Sequence, residues 1–238
     1  MAKSKKLTPE FIDLEKRIAA NGHNLSFASR KRGMWAEAAL NNCYGDQVGI
    51  FASVESLEAA FDKSEAYMRQ CWSTPDNLFD PLHFEFGFHL DCAANKHNHR
   101  LPNYLTEKMD ALSLSTPWVG YKCSKPSVLA TRLFLNPGFS NVLPWATRMH
   151  SEIQKSKAAV GAMIALCAPS SKWWDFCYDN ASEIRLLGSR PQYVPPPGIK
   201  PSSNSRENVV VIFRHNANLQ GGHAKITTWD WKHAPTGK

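Results

Sequence analysis

The chain has 238 residues, 43% hydrophobic and 21% charged, a composition that supports a packed core and excludes a fibrous or disordered protein. That length holds one substantial α/β domain with an appendage, and two full domains would be a squeeze. A net charge of +7 favours nucleic acid or another polyanion as partner, although the N-terminal cluster (Lys3, Lys5, Lys6, then Arg30, Lys31, Arg32) reads equally as a solvated tail.

Residues 1–70 read as a helical N-terminal extension. Thr8 and Pro9 form a helix start, with Thr as cap and Pro at the first helical position, leading into Phe11, Leu14 and Ile18 on one face. A second helix is expected over 53–70, where Val54, Leu57, Phe61 and Met68 recur at helical spacing. The stretch from Gly33 to Gly49 has no clear period. From residue 71 the pattern changes, and 71–238 reads as a second region, the main α/β domain. Thr74-Pro75 opens a helix through Leu82, and Phe86–Asp91 reads as a strand ending in an acid. Residues 92–130 are irregular. Strands are expected at 132–136, 160–166, 183–187 and 209–213, and helices at 143–157 and 170–180. A Pro-, Ser- and Asn-rich loop fills 190–208, and 226–231 is read as a last strand forming an antiparallel hairpin with 209–213. Strands alternating with helices predict an α/β fold with a doubly wound, mostly parallel sheet.

The most informative segment is Leu133–Ser140, an apolar strand that stops at Asn136-Pro137-Gly138-Phe139. Pro and Gly force a turn at the strand's C-terminal end, the edge where open α/β sheets bind ligands. A carboxamide, a backbone carbonyl and an aromatic ring are thereby presented together. Trp72-Ser73-Thr74-Pro75, Phe88-His89-Leu90-Asp91-Cys92-Ala93-Ala94 and Asp110-Ala111-Leu112 precede this turn in order. Trp145, Trp173-Trp174 and Gly188-Ser189-Arg190 follow it. As an ordered set over residues 71–215, these segments resemble the phage-type DNA N6-adenine methyltransferase family (phage Dam-like). Its signature turn is Asn-Pro-Pro-Tyr/Phe, so Gly138 stands where the second Pro is usual. Glycine admits positive φ and loosens the turn without removing a catalytic atom.

The resemblance implies a class I, Rossmann-like methyltransferase fold with S-adenosylmethionine as methyl donor and double-stranded DNA as substrate. It implies that Asn136 and the Pro137 carbonyl accept from the adenine amine while Phe139 stacks on the extruded base. Thr74 and Pro75 are then the segment at the methionine end of the cofactor, although Thr74 reads equally as a helix cap. Asp91 would accept from the methionine ammonium or orient a water, small Ala93 would let the cofactor approach the backbone, and Asp110 would take the ribose hydroxyls. Asp91 reads otherwise as a solvated turn residue, and Asp110 as a surface residue at a helix start. Arg190, Lys200 and Arg206 give the 190–208 loop the composition of a DNA-contacting segment, or of a flexible connector. No metal is expected: His97 and His99 lack a second ligand pair at metal-site spacing.

The six cysteines show no Cys-x-x-Cys pair and are expected to be reduced. With no hydrophobic leader or membrane-length apolar run, the expectation is a cytoplasmic protein (the host cytoplasm if phage-encoded), within a restriction-modification setting, as a monomer or weak dimer. Two alternatives stay open: a catalytically weak or inactive nucleic-acid-binding protein on the same fold, and methylation of RNA or a protein amide.

Overall fold

Thr8 and Pro9 begin the first long helix as the sequence predicts. In the structure, a computed structural model, β1 (Lys5–Lys6) is followed by α1 (Pro9–Ala20). The Thr8 hydroxyl oxygen accepts from the Phe11 amide at 3.3 Å, and Phe11, Leu14 and Ile18 form the buried face. The structure describes residues 5–6, 8–27, 30–31, 34–35, 38–42, 45–51, 53–68, 71–124, 128–197, 199–201, 204–218 and 221–237. Lys3, Arg32 and Gly33, named above, and Cys43, one of the six cysteines, lie outside the described residues.

The chain divides into two compact units, one running to Trp72 with Val194–Pro201 added, the other holding Ser73–Tyr193 and Ser202–Lys238. In the first unit, α1 is followed by β2 (Asn24–Phe27), β3 (Arg30–Lys31), β4 (Met34–Trp35), β5 (Ala38–Asn41), β6 (Gln47–Phe51) and α2 (Val54–Met68). The two helices match the sequence reading, but the extension is not simply helical. The residues between them pair into two antiparallel sheets, ordered β1-β4-β3 and β2-β5-β6. The alternation of buried Ala38 and Leu40 with half-buried Ala39 and Asn41 gives β5 one face toward Phe11, Leu14, Ile18, Leu57 and Phe61. That two-residue period is short and carried by alanines, so it left little signal in the sequence.

The second unit contains α3 (Asp76–Phe86), β7 (Leu90–Asp91), β8 (Arg132–Leu135), α4 (Leu143–Ile153), β9 (Val160–Leu166), α5 (Lys172–Asn180), β10 (Glu183–Leu187), β11 (Asn208–Arg214) and β12 (Lys225–Trp229). Six strands form one mixed sheet in the order β12-β10-β11-β9-β8-β7. All run the same way except β11, which is antiparallel to both neighbours. Successive side chains alternate between two cores. Leu133, Leu135, Met163, Ala165, Val209 and Val211 pack with α4 and α5, while Phe134, Ala162, Ile164, Val210 and Ile212 pack with α3 and Trp231. A sheet covered on both faces explains why β9 and β11 read as continuous apolar runs. At Gly161 an added Cβ would come 2.2 Å from Met149 Sδ, so α4 lies tightly against β9.

Two sequence expectations are corrected here. The 209–213/226–231 hairpin does not form: β12 pairs in parallel with β10, and β11 lies between β10 and β9. The reason is burial, since both faces of β11 are apolar and covered, whereas β12 exposes alternate residues and suits an edge. The strand read over 86–91 shrinks to Leu90–Asp91. Phe86 ends α3 instead, and Gly87 takes the left-handed conformation (φ 59°) that terminates it. Among the described residues no helix is long and apolar enough to cross a membrane.

Candidate active site

The parallel strands β7, β8, β9 and β10 end at one edge, and antiparallel β11 begins there, with Asn208 opposite Leu166. β8 delivers Asn136 to that edge. The Asn136 Nδ2 donates to Thr74 Oγ1 at 2.9 Å, and Thr74 is only 2% exposed. The other half of the amide is left open: Oδ1 is buried and accepts no hydrogen bond among the described residues. A buried acceptor without a partner costs about 1–3 kcal/mol, so this oxygen is a group that a ligand could satisfy. Thr74 is not the helix cap, since Pro75 occupies that position with no side-chain bond. Its hydroxyl instead fixes which way the Asn136 amide faces.

Pro137 is buried beside Asn136, and no described N–H donates to its carbonyl. Gly138 is exposed and is not among the glycines with positive φ, so the turn does not use the freedom that glycine allows. Phe139 is half-buried and meets Tyr193 edge-on, with ring centroids 6.0 Å apart at 67°. The Tyr193 hydroxyl accepts from Asn208 Nδ2 at 3.1 Å, and the same amide donates to the Ala165 carbonyl at 3.3 Å. The start of β11 and the end of β9 therefore brace the aromatic wall of the turn. Sequence reasoning missed Tyr193 and Asn208. Their only signal was membership of a Pro- and Asn-rich loop, because the sheet order that brings them to Phe139 is a tertiary property.

Asp91 ends β7 beside Phe134 of β8, and the Cys92 amide donates to the Phe134 carbonyl at 2.8 Å. Its carboxylate is 2% exposed and already engaged. Oδ2 accepts from the Arg100 amide at 3.0 Å and Oδ1 from the Ala93 amide at 3.4 Å. Burial raises its pKa to about 6 against the lowering effect of those two amides. Asp91 is thus no solvated turn residue but the brace of the 92–100 loop. That loop is also tied to the Thr74 segment by the Ser73 hydroxyl, which donates to the Asn98 carbonyl at 3.2 Å. Ala93 and Ala94 are half-exposed on it.

A short parallel bridge, Asp91 to Tyr104, lies beyond β7. Asp110 itself follows a 3-10 turn at Glu107–Met109, in a left-handed conformation (φ 46°). It is exposed, and no described group bonds its carboxylate. The structure brings it against none of the other site residues named. Arg190 is ion-paired with Glu207 at 2.7 Å, at the base of the loop that joins β10 to β11. Arg206 is exposed near the same base, and Lys200 belongs to the first unit. His99 stacks on Tyr104 with centroids 4.3 Å apart, and its Nδ1 lies 2.9 Å from the Leu101 carbonyl.

The architecture is a mixed α/β sheet covered on both faces, with an acceptor-bearing turn at the edge where such sheets bind ligands. The family model described as DNA N-6-adenine-methyltransferase (Dam) matches residues 62–232. A DNA N-6-adenine-methyltransferase of Haemophilus phage HP1 (strain HP1c1) is 29% identical over 154 residues, covering 63% of this chain and 81% of that protein. The chain belongs to the DNA N-6-adenine-methyltransferase family, and its activity is methylation of the N6 amine of adenine in DNA.

Proposed function

We propose that methyl transfer takes place at the Asn136–Phe139 turn, with S-adenosylmethionine as donor on a class I, Rossmann-like scaffold. The observation that carries this reading is the buried, unpartnered Asn136 Oδ1, its amide fixed by the bond from Nδ2 to Thr74. The adenine N6 lone pair is delocalised into the ring, and attack builds positive charge on the nitrogen. Two fixed carbonyl acceptors, Asn136 Oδ1 and the Pro137 backbone oxygen, accept hydrogen bonds from the two amine hydrogens and stabilise that charge, and one of the two protons passes to water after transfer. This is the counterpart, with reversed sign, of an oxyanion hole, and no strong base is needed. Phe139, steadied by Tyr193, supplies a stacking face for a base rotated out of the duplex.

The residues at the ends of β7 and β8 fit a neighbouring cofactor. Half-exposed Ala93 allows close approach, Thr74-Pro75 lies beside the turn, and Asp110 offers an unbonded carboxylate suited to a pair of ribose hydroxyls. Asp91 holds the loop through two amides, and the acceptor positions left on its carboxylate are the ones that would take the methionine ammonium or a water. When bound, S-adenosylmethionine supplies an electrophilic methyl group. The loop joining β10 to β11 springs from the same edge, which supports Arg190 and Arg206 as contacts to phosphates of a double-stranded substrate; Lys200, in the first unit, is proposed as a phosphate contact on its composition alone. Action on DNA agrees with a cytoplasmic setting in a host cell.

The test is incorporation of labelled methyl groups from S-adenosylmethionine into duplex DNA, with the product identified after digestion to nucleosides. The expected product is N6-methyladenine. Absence of label despite demonstrated cofactor binding overturns the assignment of this turn.

A further inference from the structure

The opposite edge of the same sheet carries a second feature that the methylation chemistry leaves unused. A cleft of about 510 Å³ is lined by Glu85 and Phe86 at the end of α3, Arg132 at the start of β8, Lys157–Val160 leading into β9, and Arg214 and His215 at the end of β11. Arg132 begins β8 and Asn136 directly follows its last residue, about 13 Å away at ~3.3 Å per residue, so the cleft is separate from the catalytic turn. Its size is within the range of sites for small phosphorylated ligands, roughly 300–1,000 Å³.

The cleft is built from one register row. Arg132 and Arg214 both pair with Val160, one from each side, so their side chains rise from the same face of adjacent strands. Both reach the C-terminal end of α3. The Arg214 guanidinium lies 5.6 Å from the Phe86 ring centroid, and Arg132 packs over Gly87, where an added Cβ would come 2.8 Å from its Nη1. Lys157 adds a third exposed cation.

Both local carboxylates are hydrogen-bonded to Arg185, although Glu183 also acts on Arg214 through space. Glu85 is bonded through both oxygens to Arg185, at 2.6 and 2.7 Å, and Glu183 is bonded to the same guanidinium. Among the described residues, Arg132, Lys157 and Arg214 form no salt bridge. The buried Nδ1 of His215 also has no hydrogen-bond partner there. Three cations from three elements, an orphan imidazole nitrogen and a ready-made cleft make an anion site. Two planar guanidiniums match the oxygens of phosphate.

We propose that this cleft binds a phosphate-bearing ligand, either a free phosphorylated small molecule or backbone phosphates of DNA beyond the target base. The probes are inorganic pyrophosphate and duplex DNA, titrated against the full chain and the double variant Arg132→Glu/Lys157→Glu. Both positions are exposed and outside the catalytic turn, so folding and cofactor binding are expected to persist. The milder Arg132→Gln/Lys157→Gln variant serves if the charge reversal perturbs the fold.

For a free ligand, pyrophosphate binds one per chain, the double variant weakens it at least tenfold, and the salt dependence of DNA binding is unchanged. For DNA phosphates, pyrophosphate competes with DNA, and the slope of log affinity against log salt falls by about 2, or ~0.9 for each phosphate that is no longer neutralised. If neither the pyrophosphate affinity nor the salt slope distinguishes the variant from the wild type, the proposal is overturned. Both readouts are equilibrium binding, so a failure of the methylation assay would not be mistaken for a failure of this site.

Discussion

Glu152 and Asn136 are both polar groups set into the apolar body of the second unit, and the chain treats them in opposite ways. Glu152 on α4 is fully buried and fully engaged. Its Oε2 accepts from the Trp118 and Val119 amides at 3.1 and 3.0 Å, and its Oε1 meets Arg148 at 2.8 Å and Lys155. Asn136 has its donor satisfied by Thr74 and its acceptor left open. A buried polar group whose bonds all close within the chain stabilises and orients it. One whose acceptor is left without a partner keeps that hydrogen-bonding capacity unused within the described residues.

The comparison breaks most readily at Glu152. Glu152→Ala strands the 5%-exposed Arg148 cation and two amides, and is expected to cost about 3–5 kcal/mol of stability by denaturant unfolding. Its folded fraction should keep its specific activity. Asn136→Ala should do the reverse. It removes a transition-state acceptor, with an expected loss of about 10²- to 10³-fold in kcat and little change in unfolding midpoint or cofactor affinity. A large stability loss in that variant, with activity retained, would erase the distinction.

Next in size is Phe139→Ala, which deletes the stacking face and is expected to cost roughly 1–3 kcal/mol in binding of the extruded base. Phe139→Tyr should restore it. DNA affinity measured with a duplex bearing a mismatched target adenine isolates the stacking contribution, because that base is already unpaired.

Asp91 sharpens the contrast through pH. Its carboxyl pKa is raised to about 6 from the ordinary 3.8 by burial, so the folded state holds the proton more tightly than the unfolded state. Its contribution to stability is therefore fully present below pH 3.8 and lost as the pH rises through about 6. Asp91→Asn carries no such titration. Between pH 7 and pH 4 the wild type should gain stability relative to this variant, and a pH-independent difference would contradict the assignment. The smallest effect is expected from Gly138→Pro. Gly138 does not use positive φ and none of the bonds described involves its amide, so a proline should stiffen the turn by about 0.4–1 kcal/mol while activity stays within a few fold.

Local signals foretold local structure well. The Thr8-Pro9 start, the apolar strand 160–166 and the strand 183–187 are found where the residues predict them, because capping, helical period and continuous apolar runs act over a few residues. The Asn-Pro-Gly-Phe turn is likewise legible, since Pro and Gly end a strand by their own backbone chemistry. The antiparallel sheets of the first unit escaped notice because their short strands carry little period, and the hairpin expected of β11 and β12 failed because pairing partners are chosen by burial of both faces.

The sequence by itself determined which chemistry the edge of the sheet offers: an amide, a proline-linked carbonyl and an aromatic ring in four consecutive residues. Only the tertiary structure decided how those groups are aimed. Thr74, 62 positions before Asn136, fixes the orientation of the amide, Tyr193 and Asn208 brace Phe139, and Asp91 ties down its own loop. The same sheet sets Arg132 and Arg214 on either side of Val160 at the far edge. Residue type fixes what a group can bond, but which bonds are already filled depends on neighbours distant in the chain.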